Sequence, residues 1–412
     1  MNIYKTYLYK ELNNLPFDLF KILKEYISLN DEVRIAFVGG FVRDLLIKKI
    51  HRVKANKIID FDLIIEGSAL SLAKYIKKNI KHVDLCLIKE FELYNTVELN
   101  INDIKVDIAS SREEIYKAPG FNPSVKDSSI SNDLRRRDFS INSIAFEISK
   151  SELYDPFNGI THIKKKEIHL LHNKSIQDDP SRVLRSAKYA TRLGFEFSNE
   201  SLLQSKQIIE QWPWQCIKKD NLIKFPPGIS IRIRMELTEI IKHDNLAQIV
   251  QKLYQWDVIS LLNKDIEVDN RFMRGLHWIR KLKGKEILFI IKDSKSLDKL
   301  CERLFINKKE KKIINELLKI KNKLVKDEAQ FIKLTPSRWT NFIEKNNLDL
   351  DAVKLIIANG GKYWRPFLRW LYKYRFIKST KNGELLKSEG WEPGEMMGQE
   401  IRRLRYEEID KL

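Results

Sequence analysis

The chain has 412 residues, 43% of them hydrophobic, and its 75 Lys and Arg against 56 Asp and Glu leave a net charge of +19. That length accommodates two to four units of about 100–200 residues, and the basicity points to a polyanionic partner, most simply nucleic acid. No stretch reaches the roughly 20 apolar residues of a membrane span; Glu11, Asp18 and Glu25 interrupt the opening where a signal peptide would be apolar.

Three scattered cysteines, Cys86, Cys216 and Cys301, form no CxxC, which argues against a disulfide framework or zinc site and fits a reducing cytoplasm. Residues 1–30 predict a helical preface. RIAFVGG, 34–40, predicts a buried strand, 41–49 a short basic helix, and DFDLIIEG a strand over 60–67. Gly39 and Gly40 let backbone N–H groups approach an anion at a helix start, where the dipole favours negative charge. Asp60 and Asp62 send both carboxylates to one side of a strand, because side chains alternate. Such a pair repels itself unless a cation intervenes, and its hard oxygens suit Mg²⁺. Carboxylates for a metal beside a phosphate cradle point to phosphoryl or nucleotidyl transfer. A Ser-capped helix over 68–80 and alternating strands within 84–110 complete a small mixed α/β head.

In DLRRRDFSINSIAF, 133–146, Arg136, Arg137 and Asp138 precede an expected apolar helix. Clustered guanidiniums fork onto phosphates, and Asp138 is placed to orient one of them. Beyond about residue 150 the strand signal fades into helical patterns punctuated by Asn158-Gly159, Gly194, Pro226-Pro227-Gly228, Pro336 and Gly360-Gly361.

QDDPSRVLRSAKYATRLGF, 177–195, predicts a helix with Asp179 as N-cap, Pro180 at the first turn and Gly194 as its stop. Arg182 and Arg185, at i and i+3, share a face. An aspartate beside an arginine fork offers one acceptor plus donors. That order matches cytosine, whose N4–H₂ donates while N3 and O2 accept, and adenine, whose N6–H₂ donates while N1 accepts. Guanine and uracil present the reverse.

KKEKKIINELLKIKNKLVK, 308–326, predicts a packed helix with one basic face. In KYWRPFLRWLYKYRF, 362–376, Trp364, Phe367, Leu371 and Tyr374 share a helical face and predict core, leaving Lys362, Arg365, Arg369 and Lys373 outward. His243-Asp244 has no supporting set of His and Asp and is read as incidental.

Taken in order, VGGFVRDLL, DFDLIIEG, VDIASSREEIY, LRRRDFSINSIAF, YDPFNGI, DDPSRVLR and SIRIRMEL, with GWEPGEMMGQEI near the end, resemble the successive motifs of the class II tRNA nucleotidyltransferases. These are the CCA-adding enzymes and their bacterial poly(A) polymerase relatives. The resemblance implies an α/β nucleotidyltransferase head of the polymerase-β-like kind with a mixed sheet, then an all-α neck, body and tail. The expected limits are 1–150, 151–235, 236–330 and 331–412.

The resemblance also implies roles: addition of C and A to the tRNA 3′ end from CTP and ATP, without a nucleic-acid template, with a CC-adding or A-adding specialist or a poly(A) polymerase as the alternatives. Gly39, Gly40 and Arg43 would bind the triphosphate, Asp60 and Asp62 would be the catalytic Mg²⁺ ligands, and Arg137 would border the nucleotide. Asp179 and Arg182 would pair with the incoming base, with Arg185 nearby, and Asp107 would be a further carboxylate close to the metal. Residues 112–131 resemble the flexible loop associated with the switch from C to A addition. Two departures bear on nucleotide choice: Asp178-Asp179 stands where Glu-Asp is usual, and Lys188 where Arg is usual. Lysine keeps the charge but loses the planar fork.

Overall fold

The computed structural model describes residues 2–53, 60–81, 86–91, 95–118, 120–211, 218–219, 222–223 and 227–412. Cys216 and Pro226 lie outside them. The chain divides into two compact units, Met1–Glu236 and Leu237–Leu412.

The first unit opens with the helical preface, α1 (Asn2–Asn13) and α2 (Leu19–Ser28), parted at Pro16. Next come β1 (Arg34–Phe37), α3 (Gly39–His51), β2 (Asp60–Glu66) and α4 (Ala69–Asn79), the last capped by the Ser68 hydroxyl as its sequence predicts. β3 (Cys86–Phe91), β4 (Thr96–Ile101) and β5 (Ile104–Ser110) follow. A hairpin, β6 (Arg112–Ile115) and β7 (Ser124–Asp127), and α5 (Ile130–Arg135) lead to β8 (Ala145–Glu147) and β9 (Glu152–Tyr154). The seven-stranded sheet has the order β3-β4-β5-β2-β1-β8-β9. Its β2–β5 pair is parallel and the other pairs are antiparallel, so the mixed sheet expected of the head is present.

Period-2 alternation decides which face of this sheet is dry. Phe61, Leu63, Val97, Leu99, Val106 and Ile108 are almost fully buried and point to the side of α4, whose Leu72, Ala73 and Ile76 are equally buried. The Ser110 hydroxyl ties the two layers, donating to Gly67 O and accepting from Ala69 N–H. On the other face Ile64 packs with Ile130 and Leu134 of α5, while the Asp60 end of the same strand stays open.

The apolar helix expected after Asp138 is not formed. Residues 140–142 make a single 3-10 turn, and SIAF continues into β8, whose Phe146 pairs with Phe37 of β1. A short apolar run suits either element, and here an open sheet edge claims it. The loop expected at 112–131 carries the β6–β7 hairpin, with Arg112 opposite Asp127.

After the sheet come α6 (Gly159–Lys165), β10 (Glu167–Ile168), α7 (Ser175–Asp178), α8 (Ser181–Leu193), β11 (Glu196–Phe197), α9 (Asn199–Glu210) and α10 (Pro227–Lys242). Inside α6 the His162 ring stacks on His169 at 3.7 Å and shares a 2.7 Å hydrogen bond with the Ser140 hydroxyl. Burial, then the His169 neighbour, pushes His162 down to about 4. Between that value and the 6.5 of an unfolded histidine, only the unfolded chain takes up this proton. Stability is therefore lost as pH falls through this window. Replacing His162 by Asn should flatten the decline between pH 6.5 and 4.5 in urea titrations; an unchanged pH slope would contradict this account.

The second unit is helical throughout its regular structure. The helix at Lys308–Lys326 starts on an Asn307–Glu310 capping box, buries Ile313, Ile314, Leu317, Ile320 and Leu324, and leaves Lys308, Lys309, Lys312 and Lys319 exposed. In the 362–376 segment Phe367, Leu371 and Tyr374 are core, and Lys362, Arg365, Arg369 and Lys373 face water, as the spacing predicts. Glu344 takes a two-pronged bond from Arg405 at 2.8 Å, which anchors the last helix, Glu395–Asp410. Asp244 is fully exposed beside Arg280. No helix among the described residues is long and apolar enough to cross a membrane.

Candidate active site

Carboxylates gather on the open face of the sheet. The parallel register sets Asp62 opposite Asp107 and Asp60 opposite Lys105, and Glu98 of β4 stands on the far side of Asp107. Burial, then the charges of Asp62 and Glu98, pushes Asp107 up to about 6. Burial also raises Asp62, against the pull of Arg137 and Arg43. A cluster that disfavours its own ionisation attracts a cation. Among the described residues no three His, Cys, Asp or Glu side chains form a metal-holding group. The donor chemistry here instead fits Mg²⁺, which takes one or two carboxylates and completes its shell with substrate phosphates and water.

The glycine pair lies against these carboxylates because of its backbone. Gly39 has φ +65°, where a side chain is strained, and a Cβ there would stand 2.9 Å from Asp62 Oδ2 and 3.2 Å from Arg137 Nη1. One on Gly40 would stand 3.4 Å from both Asp62 Oδ2 and Arg43 Nη2. Phe41 N–H, in the first turn of α3, donates to Asp62 Oδ2 at 3.4 Å. Five of the residues picked out in the sequence, Gly39, Gly40, Arg43, Asp62 and Arg137, therefore surround one small space, with Asp60 exposed at its edge.

Arg43 is buried in this wall. Its Nη1 donates to Asn142 Oδ1 at 2.6 Å, its Nε to Asp44 at 2.7 Å, and its guanidinium lies 5.0 Å from the Tyr189 ring centroid on α8. Asn142 in turn donates to Asp138 Oδ1 at 2.9 Å. Asp138 does not orient Arg136 or Arg137, contrary to expectation. It accepts from Phe139 N–H and Asn142, and its other oxygen lies 3.5 Å from Arg185 Nε. Burial alone would raise its carboxyl, but Arg185, Asn142 and Arg182 hold it below the usual range.

The Asp179–Arg182 pair sits at the start of α8. Asp179 is extended at φ −145° and its O accepts from Arg182 N–H, so it caps the helix, as its sequence predicts, ahead of the already helical Pro180 at φ −66° and ψ −17°. The carboxylate reaches past it, and Oδ1 accepts from Ser181 N–H at 3.0 Å and its hydroxyl at 2.6 Å. Arg232 Nε is 3.3 Å from the same oxygen. Arg232, Arg185 and Arg182 outweigh burial and hold Asp179 below the usual carboxylate range. Arg182 is 4% exposed. Its Nη1 donates to Ser175 Oγ at 2.7 Å and its Nη2 to Arg136 O at 2.8 Å, while its buried Nε has no hydrogen-bond partner among the described residues. Arg185 lies between Asp138 and Glu236, and Lys188 donates to Glu236 at 3.0 Å.

Sequence reasoning passed over several side chains that build this wall. Arg232, within SIRIRMEL, donates to Asn122 Oδ1 and Gly120 O of the hairpin turn, holding it beside Asp179. Glu114 of β6 accepts from Arg136 at 2.9 Å and from Tyr116 at 3.1 Å. Asp133 carried a legible signal, since acids three and four residues before arginines pair on a helix.

Residues 35–169 match the family model described as the poly A polymerase head domain. An A-adding tRNA nucleotidyltransferase of Aquifex aeolicus (strain VF5) is 30% identical over 255 residues, 61% of this chain and 28% of that protein. A CC-adding tRNA nucleotidyltransferase of Deinococcus radiodurans is 30% identical over 183 residues, 42% of this chain and 44% of that protein. These matches span less than half the length of either curated relative. A CCA-adding enzyme, solved in its apo form II, is similar in fold, with a TM-score of 0.75 at 24% identity over 97% of this chain and 94% of that one. Residues 35–169, the stretch that carries the glycine pair, Asp60, Asp62 and Arg137, are the part of the chain similar to the poly A polymerase head domain.

Proposed function

We propose that this chain is a nucleotidyltransferase that adds C and A residues, from CTP and ATP, to the 3′ end of tRNA without a nucleic-acid template. One observation carries the reading: a glycine and arginine cradle meets the Asp62 carboxylate, and the Asp179–Arg182 pair is bonded into the same wall. The A-adding and CC-adding names of the relatives above support the substrate class.

Asp60 and Asp62 would hold Mg²⁺, with Asp107 beside them. When bound there, it supplies Lewis-acid chemistry that acidifies the attacking 3′-hydroxyl and neutralises phosphate charge. The chain's own groups do the positioning. Backbone N–H groups at Gly39 and Gly40, with Arg43 and Arg137, orient the triphosphate. Asp179 accepts from the exocyclic amine of cytosine or adenine, and Arg182 donates to the neighbouring ring acceptor. The reading assigns residues 1–150 to the head, 151–235 to the neck, 236–330 to the body and 331–412 to the tail. Exposed lysines of Lys308–Lys326 supply charge for duplex RNA, which is recognised by backbone and shape. A reducing cytoplasm is the proposed setting.

A second reading, a specialist that adds only the terminal A, is favoured by the Aquifex relative, whose match covers more of this chain. Both readings set tRNA apart from other RNA. The purified chain, Mg²⁺ and all four nucleotides should extend a tRNA transcript with C or A alone and stop once CCA is complete. An unstructured RNA of equal length should stay unextended. Long A tails on both RNAs would instead mark a poly(A) polymerase.

A further inference from the structure

We infer that Asp133 is the positioning residue that sets the phosphate-facing arginine of this site, an inference that rests on the proposed nucleotidyl transfer. Asp133 is fully buried on α5. Its two oxygens are divided between two guanidiniums. Oδ2 accepts from Arg137 Nε at 3.2 Å and Nη2 at 3.0 Å, and Oδ1 accepts from Arg136 Nε at 2.9 Å and Nη2 at 2.6 Å. Arg112 N–H completes the shell at 3.4 Å on Oδ1.

This division has a directional result. A guanidinium is a rigid planar fork, so fixing Nε and Nη2 fixes where Nη1 points. In Arg137 the remaining nitrogen is the one directed at Gly39 and Asp62, where the triphosphate is proposed to lie. In Arg136 the remaining nitrogen goes to Glu114 of the hairpin, and its carbonyl accepts from Arg182. One buried carboxylate thus sets the arginine of the phosphate cradle and steadies the carbonyl that holds the base-pairing arginine. Arg137 and Arg136 keep it ionised against burial, which alone would raise its carboxyl.

Replacing Asp133 by Asn keeps the shape and removes the charge that both forks need. The KM for CTP or ATP should rise by about 10- to 100-fold, the worth of one or two charge-assisted hydrogen bonds, while the KM for tRNA stays at the wild-type value. A purely structural role would instead lower the active fraction, cutting kcat and leaving the nucleotide KM unchanged, and that outcome overturns the inference. In a cycle with Arg137→Ala, the rise in nucleotide KM of the double variant should fall well short of the product of the two single effects; fully additive losses would also overturn it. Should Asp133→Asn not fold, Asp133→Glu shifts the carboxylate by one methylene and should raise the nucleotide KM by a smaller factor. A wild-type KM for the Glu variant counts against the inference. Wild-type protein that extends no RNA would sink the proposed function itself, a failure distinct from active protein indifferent to residue 133.

Discussion

Asp62→Asn should abolish nucleotide addition, lowering kcat by at least about 10³-fold, the scale on which metal and oxyanion-type stabilisation act. Asparagine keeps the volume and an oxygen for the Phe41 N–H that bonds Asp62 Oδ2. It removes the charge that, beside Asp60 and Asp107, attracts a cation. The variant should fold as well as the parent. Burial raises the Asp62 carboxyl, so its ionised form costs stability above the carboxyl's ordinary pKa of 3.8, and neutralising it removes that cost. The expected pattern at pH 7.5 is an unchanged or higher Tm without metal, unchanged tRNA affinity and no product. A variant keeping a tenth of the wild-type rate would refute the metal assignment to Asp60 and Asp62.

Arg182→Ala carries the second large effect. Truncation removes a cation beside Asp179 and leaves Ser175 Oγ and Arg136 O without a buried donor. Each hydrogen bond to a charged group is worth about 1.5–3 kcal/mol, so kcat/KM should fall by about 10²-fold or more for both nucleotides. Selection should suffer as well as rate. Asp179 would still accept from an exocyclic amine, but nothing would oppose a ring N–H, so U and G should enter more often in a mixed-nucleotide competition. Arg182→Lys should lose less rate, because the charge survives while the fork does not. A uniform loss with the wild-type preference for C and A intact would confine Arg182 to a structural role.

The parts legible in the sequence are those fixed by local rules. DFDLIIEG shows its two-faced strand by alternation, and Ser68 and Gly194 mark helix ends by capping chemistry. Asp179 was legible as a capping group, and its bond from Ser181 N–H, two residues on, is the one such a cap makes. Residues 145–147 were not legible, because a short apolar run takes its structure from the strand it meets, here Ala36 and Phe37 of β1. The β6–β7 hairpin escaped notice for a related reason. Arg112, Glu113 and Glu114 pair with Asp127, Lys126 and Val125, a polar register with no apolar period. Asp138 adjoins the arginines in the chain, but a helix brings i+3 and i+4 together, and so both guanidiniums reach Asp133 instead. The bond from Arg182 to Arg136 O spans 46 residues and has no local signature.

The central claim, nucleotidyl transfer to a tRNA 3′ end, is tested most directly by three tRNA transcripts ending before CCA, after C and after CC. Each is incubated with the purified chain, Mg²⁺ and CTP, ATP or both, and resolved on a sequencing gel. The account predicts C or A extension of at least one transcript, with completed CCA on the bare end for the full reaction and extension of the CC end alone for the A-adding specialist. Failure to extend any of the three, with folded protein and Mg²⁺ present, would contradict it.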